Sequence, residues 1–370
     1  MSLLKSLVEE LPKVEGERIV FTGDEESYAD ISYRSSSGSF ILDTLIGGGF
    51  PSGRMIELHA LPNAGKTTIA THAMIHTQQS GGYSLLIDTE CKWDKKRAVN
   101  MGLDPSKHLT IQAKTLEDGF EAIYSVIEQI RDKGKKLEAE LKKWKAKKDS
   151  LIPKMYENPD EVEIKDQIAR SAAPLIVVWD TVSAAPTRQE VQGGYGNGMM
   201  EKPRYLRAQC RVLMNFLARQ DVVCLLINQV HQVPGPGKYI MTKSSSAGFA
   251  IPFHAVLSLK LKKKADYQDG DKTVGIMTEI KCHKSQLAAP FEPIHTYINF
   301  ETGIDELQEV FCYLEENTDY VKKKGAWMSI HEYPSAEEEK SFYRKDLPEM
   351  NRQDPKLMEH LKSLLLSHLN

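Results

Sequence analysis

The sequence predicts an α/β fold with a mostly parallel central sheet, and three observations carry that expectation. Between about residues 40 and 305, apolar runs of strand length alternate with helical patterns: MIELHA, SLLID, LIVVWD, VVCLLINQ, AVLSLKLK, GIMTEIKC and HTYINF. These runs are largely continuous in Ile, Val and Leu, which is the composition of strands covered on both faces by helices. The chain of 370 residues, 41% hydrophobic and 27% charged, is long enough for one sizeable core and a smaller unit.

The elements follow in order. Residues 1–33 hold a short helix candidate, Ser2 to Leu11, ended by Pro12 and followed by a polar, acidic stretch. This segment is expected to be an arm. Residues 34–305 form the core, interrupted at 131–170 by a basic run, RDKGKKLEAELKKWKAKK, and a mostly acidic one around Pro153 and Pro159. Leu137, Leu141 and Trp144 at helical spacing predict a projecting helical hairpin, basic arm against acidic arm; a solvated insertion without a partner is the plainer reading. Residues 306–370 read as helix, a short strand around Gly325 to Ile330, and a last helix from Pro355 to Leu369, a small separate α+β domain.

Composition excludes several classes. A net charge of -3 rules out a surface that is basic throughout, so nucleic-acid contacts must come from local patches. Cys91, Cys210, Cys224, Cys282 and Cys312 show no zinc-like spacing and are expected to be reduced core thiols. The N-terminal run carries acids, unlike a signal peptide, and no apolar run reaches about 18 residues, so a cytoplasmic protein without a membrane partner is expected.

The stretch HALPNAGKTT, His59 to Thr68, nearly matches the phosphate-loop pattern Gly-x-x-x-x-Gly-Lys-Ser/Thr, with Ala60 in place of its first glycine. Met55 to His59 reads as the strand before it and Thr67 to Thr77 as the helix after it. The cradle would run over Asn63, Ala64, Gly65, Lys66, Thr67 and Thr68. Gly65 lets backbone amides approach phosphate, Lys66 reaches the terminal phosphates, and Thr67 offers its hydroxyl to Mg²⁺. Ala60 is tolerated provided its position needs no positive φ. Asp180 ends the strand Leu175 to Asp180, where a carboxylate would hold the metal, with Thr181 beside it. Leu85 to Glu90 reads as a second strand ending in acids, and Glu90 either activates a water or is a helix-capping carboxylate. ATP and Mg²⁺ are the expected cofactors.

Several further stretches share an order and spacing with one known group. SSSGSFILDTLIGGGFPSGRMIELHALPNAGKTT carries Ser39, Leu42 and Asp43 ahead of the loop. DTECKWDKKRAVNMGLD, LIVVWDTVSA, LLINQV, HKSQLAAPF, INFETGI and KKKGAWMSI follow in sequence. Over about residues 33–370 the chain resembles the RecA/UvsX family of homologous-recombination ATPases, bacterial or phage type. The resemblance implies a RecA-type P-loop NTPase core. It makes Glu90 the catalytic glutamate, Asp94 an adenine-side aspartate, and Gln229 the γ-phosphate sensor connected to DNA binding. Lys284 would reach the neighbouring subunit's ATP, with Gln286 in place of the usual second lysine, and Phe300 would lie near adenine. The insertion at 131–170 is where the likeness fails.

Two stretches follow the functional strands, as DNA-binding loops do in that family. Gln189 to Pro203, with glycines at 193, 194, 196 and 198, is expected to lack regular structure. Beyond it, Arg204 and Arg211 lie two helical turns apart on one face. By the resemblance they grip DNA phosphates, with Met200 as an inserted methionine; without it they are ordinary surface arginines. His231 to Phe253 is a long loop with Lys238 and Lys243, and its amides near Ala247 and Gly248 would hold phosphates, Ala247 replacing one of the family's two glycines. The family implies a DNA recombinase that forms a helical filament on single-stranded DNA, pairs it with homologous double-stranded DNA, and catalyses strand exchange for recombination and repair. Single-strand-binding and loader proteins are candidate partners. A ring helicase or recombination mediator of the same fold is an alternative, and a signalling or clock-type ATPase without DNA is another.

Overall fold

The computed structural model describes residues 20–25, 27–148, 159–193, 201–234, 240–243, 250–333 and 341–369. The chain enters through β1 (Arg34–Ser35), α1 (Phe40–Leu45) and β2 (Phe50–Pro51). Ser39 caps α1 by accepting from the Leu42 amide, and Asp43 receives the amide and hydroxyl of Ser37, so the entry is fixed by short polar side chains. There follow β3 (Arg54–Ala60), α2 (Lys66–Gln79), β4 (Tyr83–Asp88), α3 (Lys95–Asn100), β5 (His108–Ile111), α4 (Leu116–Lys148), α5 (Pro159–Ala172) and β6 (Leu175–Asp180). Next come α6 (Arg188–Val191), α7 (Glu201–Gln220), β7 (Val222–Gln229), β8 (His231–Pro234), β9 (Ile240–Lys243) and α8 (Ala250–His254). The chain continues through β10 (Leu257–Asp269), β11 (Lys272–Ser285), β12 (Ile294–Asn299) and β13 (Gly303–Ile304).

The main sheet has nine strands in the order β13-β12-β11-β10-β3-β7-β6-β4-β5. From β10 to β5 every pairing is parallel, and from β13 to β10 every pairing is antiparallel. Side-chain patterns explain the change. β6 and β7 are buried along nearly their whole length, as strands between two helical layers must be, whereas β12 alternates buried and half-buried residues. On β7, Val223, Leu225 and Ile227 face the cluster containing α2, while Val222, Cys224 and Leu226 face the cluster of α4 and α7. Each such fully buried side chain contributes about 1.5–3 kcal/mol, so the sheet centre is the rigid floor from which functional groups project.

The tail contains more strand than its sequence predicts. α9 (Glu306–Asn317) leads into a three-stranded antiparallel sheet of β14 (Val321–Lys324), β15 (Trp327–Ile330) and β16 (Phe342–Tyr343), then α10 (Leu347–Gln353) and α11 (Lys356–Leu369). β14 reads Val-Lys-Lys-Lys with one buried residue, so no hydrophobic period announces it. Val310, Phe311, Leu357 and Leu361 share a single apolar cluster with Ile41, Ile56 and Leu58 of the core.

The two regions expected to be irregular also hold structure. α6, with a capping box between Thr187 and Glu190, takes up the start of the first region, and Glu201 to Pro203 already belong to α7. In the second region β8 and β9 pair as an antiparallel ribbon, and α8 closes it. Within 131–170, α4 continues unbroken from Leu116 and α5 returns beside it. Arg131 fixes their base by donating to the carbonyls of Ala173 and Gln220, and Leu141 is buried. A Cβ at Gly134 would collide with Ser171, so glycine permits the close approach of the two helices. The Trp144 side chain lies outside the described residues.

Candidate active site

The phosphate loop joins β3 to α2 as the sequence predicts. Ala60 is the last residue of β3 and is buried; its carbonyl receives the Val230 amide. The positive-φ residues of the loop are Asn63, at 59°, and Gly65, at 87°. Gly65 is the residue before α2, and a Cβ there would meet the Ile298 side chain, so conformation and packing both require glycine. Ala64 is buried beneath the loop, where its carbonyl accepts from Thr278. The first turn of α2 presents Lys66, Thr67 and Thr68, placing free amides and the positive end of the helix dipole at the cradle. Lys66 is largely buried, and its ammonium donates to the carbonyls of Leu61 at 2.9 Å and Ala60 at 3.3 Å. Burial lowers its pKa, with the Asp180 and Glu90 charges acting in the opposite direction.

Three carboxylates gather beside the loop, Asp88 and Asp180 at the ends of β4 and β6 and Glu90 two residues past β4. Thr67 Oγ1 donates to Asp180 Oδ2 at 2.6 Å, bringing together the hydroxyl and carboxylate expected at a metal. Burial raises the Asp180 pKa, and the Thr67 hydrogen bond and Lys66 charge work against that rise. Among the described residues no group of three or more His, Cys, Asp or Glu side chains is arranged to hold a metal. The Thr67–Asp180 pair is oxygen-only, which suits Mg²⁺ completed by phosphate oxygens and water. Asp88 accepts the Trp93 amide at 3.1 Å and so shapes the turn after β4.

Glu90 is joined to three side chains. Thr181 Oγ1 and Gln229 Nε2 donate to its Oε1 at 2.5 and 2.6 Å, and Lys92 Nζ to its Oε2 at 2.7 Å. Burial tends to raise the Glu90 pKa, but the Lys92 and Thr181 hydrogen bonds outweigh it, so the group stays below the ordinary glutamate range. The helix-capping role belongs instead to Asp94, which accepts the Arg97 amide at the start of α3. Thus Glu90 and Gln229, 139 residues apart in sequence, are direct partners.

Beside Asp94 and Phe300, the two residues expected near the base, stands Arg97, which no sequence motif marks. Its Nε donates to the Phe300 carbonyl at 2.7 Å and its Nη2 to Thr68 Oγ1 at 3.1 Å. It therefore links the phosphate helix to the Asp94 turn and to Phe300, whose ring is half exposed. Nothing in the local sequence marks Arg97, because both partners lie far from it along the chain.

Lys284 is not part of this cluster. It lies on β11, separated from β3 by β10, and donates to the carbonyls of Phe253 at 2.7 Å and Pro252 at 3.1 Å in α8. Arg204 and Arg211 are exposed on α7, with Arg207 exposed between them, while Leu206, Cys210, Leu213 and Leu217 anchor the opposite face. Met200, Lys238, Ala247 and Gly248 lie outside the described residues, as does the Lys243 side chain. Four cysteines are buried, but Cys91 is exposed beside Glu90, so the expectation of five core thiols fails there. Cys91 sits in the turn beyond β4 with φ of 53°, off the sheet that buries the others.

A backbone cradle opening a helix at the carboxyl edge of a parallel sheet has the geometry for triphosphate, and the Glu90 carboxylate, close enough to act electrostatically on Lys66, is of the chemical type that can serve as a base for water. Fold and site together define a P-loop ATPase. A family model described as the RecA N-terminal domain matches residues 2–131 and 147–305, and its break falls inside the helical hairpin. The chain belongs to the RecA family. It is 26% identical over 331 residues to Protein RecA of Porphyromonas gingivalis, covering 89% of this chain and 84% of that one. Protein RecA of Chlorobaculum tepidum is 29% identical over 329 residues, covering 88% and 82%, and that of Trichodesmium erythraeum 29% over 295 residues, covering 80% and 70%. The chain is accordingly a RecA-type recombinase and DNA-dependent ATPase, of a family that binds DNA and forms filaments. Among the described residues no helix is long and apolar enough to cross a membrane.

Proposed function

We propose that this chain assembles on single-stranded DNA with Mg²⁺-ATP bound between successive subunits, pairs the strand with a homologous duplex, and exchanges strands in the cytoplasm. In this reading Lys66 would exchange its two loop carbonyls for phosphate oxygens, and Thr67 and Asp180 would hold the metal. Bound Mg²⁺-ATP supplies the phosphoryl group and the charge that these residues neutralise. Glu90 orients an attacking water and takes its proton. Asp94, Arg97 and Phe300 bound the base, and Lys284 leaves the α8 carbonyls to reach the next subunit's phosphates. The observation that carries the reading is the 2.6 Å bond from Gln229 to Glu90. It joins the hydrolytic carboxylate to the end of β7, from which the second DNA region departs, so nucleotide state and DNA contact share one hinge.

By resemblance, Met200, Arg204, Arg211, Lys238, Lys243 and the amides of Ala247 and Gly248 contact the DNA backbone, giving affinity that falls steeply with salt. Residues 1–33 would be the arm that packs on the adjacent core, 34–305 the ATPase core, and 306–370 the small C-terminal domain. Single-strand-binding and loader proteins would meet the assembled filament. Electron microscopy with single-stranded DNA and a non-hydrolysable ATP analogue tests the proposal: helical filaments are expected from wild type and none from Lys66→Ala. Closed rings alone, or no assembly by wild type, would overturn it.

A further inference from the structure

Glu57 is a buried carboxylate with no part in the chemistry above. It lies in the middle of β3 and is 1% exposed. Ile56 and Leu58 face the cluster containing α2, so Glu57 points to the other face of the sheet, toward the side of α7 and α8. Three groups converge on it. Asn228 Nδ2 on β7 donates to Oε1 at 3.0 Å, Ser258 Oγ on β10 donates to Oε2 at 2.6 Å, and His59 Nδ1 lies 3.5 Å from Oε2.

Each contact leads to a functional element. Asn228 precedes Gln229, the partner of Glu90. Ser258 stands opposite Lys284 in the β10–β11 register, and the His59 ring packs edge-on against His283 with centroids 5.4 Å apart. Lys284 in turn caps α8, the helix that closes the second DNA region. Burial alone would raise the Glu57 pKa, but His59, Ser258 and Asn228 more than offset it and hold the group ionised. Burial lowers the Lys284 pKa, and the Glu57 charge opposes that shift, so the two groups are also linked electrostatically. An apolar side chain in the sheet would avoid the desolvation of a buried charge, so stability alone does not account for glutamate here.

We propose that Glu57 is a positioning residue that ties the strand end carrying Gln229 to the strand end carrying Lys284. A subunit's own γ-phosphate sensing and its reach into the neighbouring site are then set together. The inference rests on the roles given above to Gln229 and Lys284.

The readout is the ratio of ATP turnover with and without single-stranded DNA. Wild type is measured first: a ratio of one there refutes the proposed function itself, before Glu57 is at issue. Glu57→Gln keeps the shape and removes the charge. It should lower the ratio about tenfold, within the usual range of coupling between sites, while DNA-free turnover, nucleotide affinity and melting temperature stay near wild type. Should that variant fold poorly, Ser258→Ala removes one arm and leaves the carboxylate, and its ratio should fall in the same direction by a smaller factor. In a Lys284→Ala background, Glu57→Gln should cause no further loss. A Glu57→Gln ratio within twofold of wild type, an unchanged ratio in Ser258→Ala, or losses that multiply in the double variant would each overturn the proposal.

Discussion

Replacing Glu90 with glutamine should separate hydrolysis from every other step, an expectation that follows from the proposed role of Glu90 and from the hydrogen bonds around its carboxylate. Thr181 and Gln229 both donate to Oε1. A glutamine can keep its carbonyl oxygen there and preserve both bonds. Its amide then takes the Oε2 position and gives up the Lys92 contact, an ion pair whose lysine is 77% exposed and which solvent screens. Nucleotide binding and filament formation should therefore be nearly unchanged. What glutamine cannot do is accept a proton. Losing a positioned general base costs about 10²–10⁴ in rate, or roughly 3–5 kcal/mol at about 1.4 kcal/mol per tenfold. Phosphate release with saturating single-stranded DNA measures the first effect, and electron microscopy of the same samples the second. A turnover number within threefold of wild type would refute the assignment of Glu90.

The same contacts set the pH dependence. The folded-state pKa of Glu90 lies below the ordinary value, so the carboxylate persists as pH falls through the usual glutamate range. Turnover should lose its Glu90-dependent part only below that range, and the glutamine variant should lack this acidic limb. A wild-type limb centred above pH 5 would show that another group limits the rate.

Two further predictions concern other carboxylates and cations. In mixed filaments, Lys284→Ala subunits should depress turnover more than in proportion to their share if, as proposed, each disables a neighbour's site; strict proportionality would place Lys284 outside the interface. Glu309 is fully buried on α9, accepts from Ser39 Oγ at 2.8 Å, and has its pKa pushed up to about 8, chiefly by burial. Its folded pKa exceeds the unfolded value of 4.5, so its contribution to stability is complete below about pH 4.5 and is lost as pH rises toward 8. Glu309→Gln, which keeps a Ser39 partner, should raise the melting temperature at pH 8 and much less at pH 5. Equal shifts at both values would refute the protonated state.

Those parts of the fold that bury continuous apolar strands were legible in the sequence, because a strand covered on both faces is built mostly from apolar residues. β6 and β7 show this up to their polar ends, Asp180 on β6 and Asn228 and Gln229 on β7. The edge strand β5, His-Leu-Thr-Ile, was not legible: it buries little, and its Leu109 is exposed. The same logic divides the site. Lys66, Thr67, Glu90 and Asp180 stand at strand and helix ends within recognisable local patterns. Arg97 bonds to partners 29 and 203 residues away, and Glu57, apart from neighbouring His59, to partners 171 and 201 residues away. Charge in the middle of MIELHA is visible, but which strands converge on it depends on a sheet order that no local period encodes.

Ala60 illustrates how structure resolves a defect in a motif. In the pattern, the first glycine relieves a backbone that must turn or approach phosphate. Here the turn occurs later: Asn63 and Gly65 take the left-handed conformations, and asparagine is among the non-glycine residues that enter that region most readily. Ala60 remains in β3, in register with Gln229 on β7, and its carbonyl receives both the Val230 amide and the Lys66 ammonium. Those contacts use backbone atoms, so a methyl group at Ala60 leaves them intact. The position is better understood as the strand end that aligns Lys66 with Gln229 than as a flexible joint of the loop. Its side chain is free to vary as long as it stays small enough to remain buried.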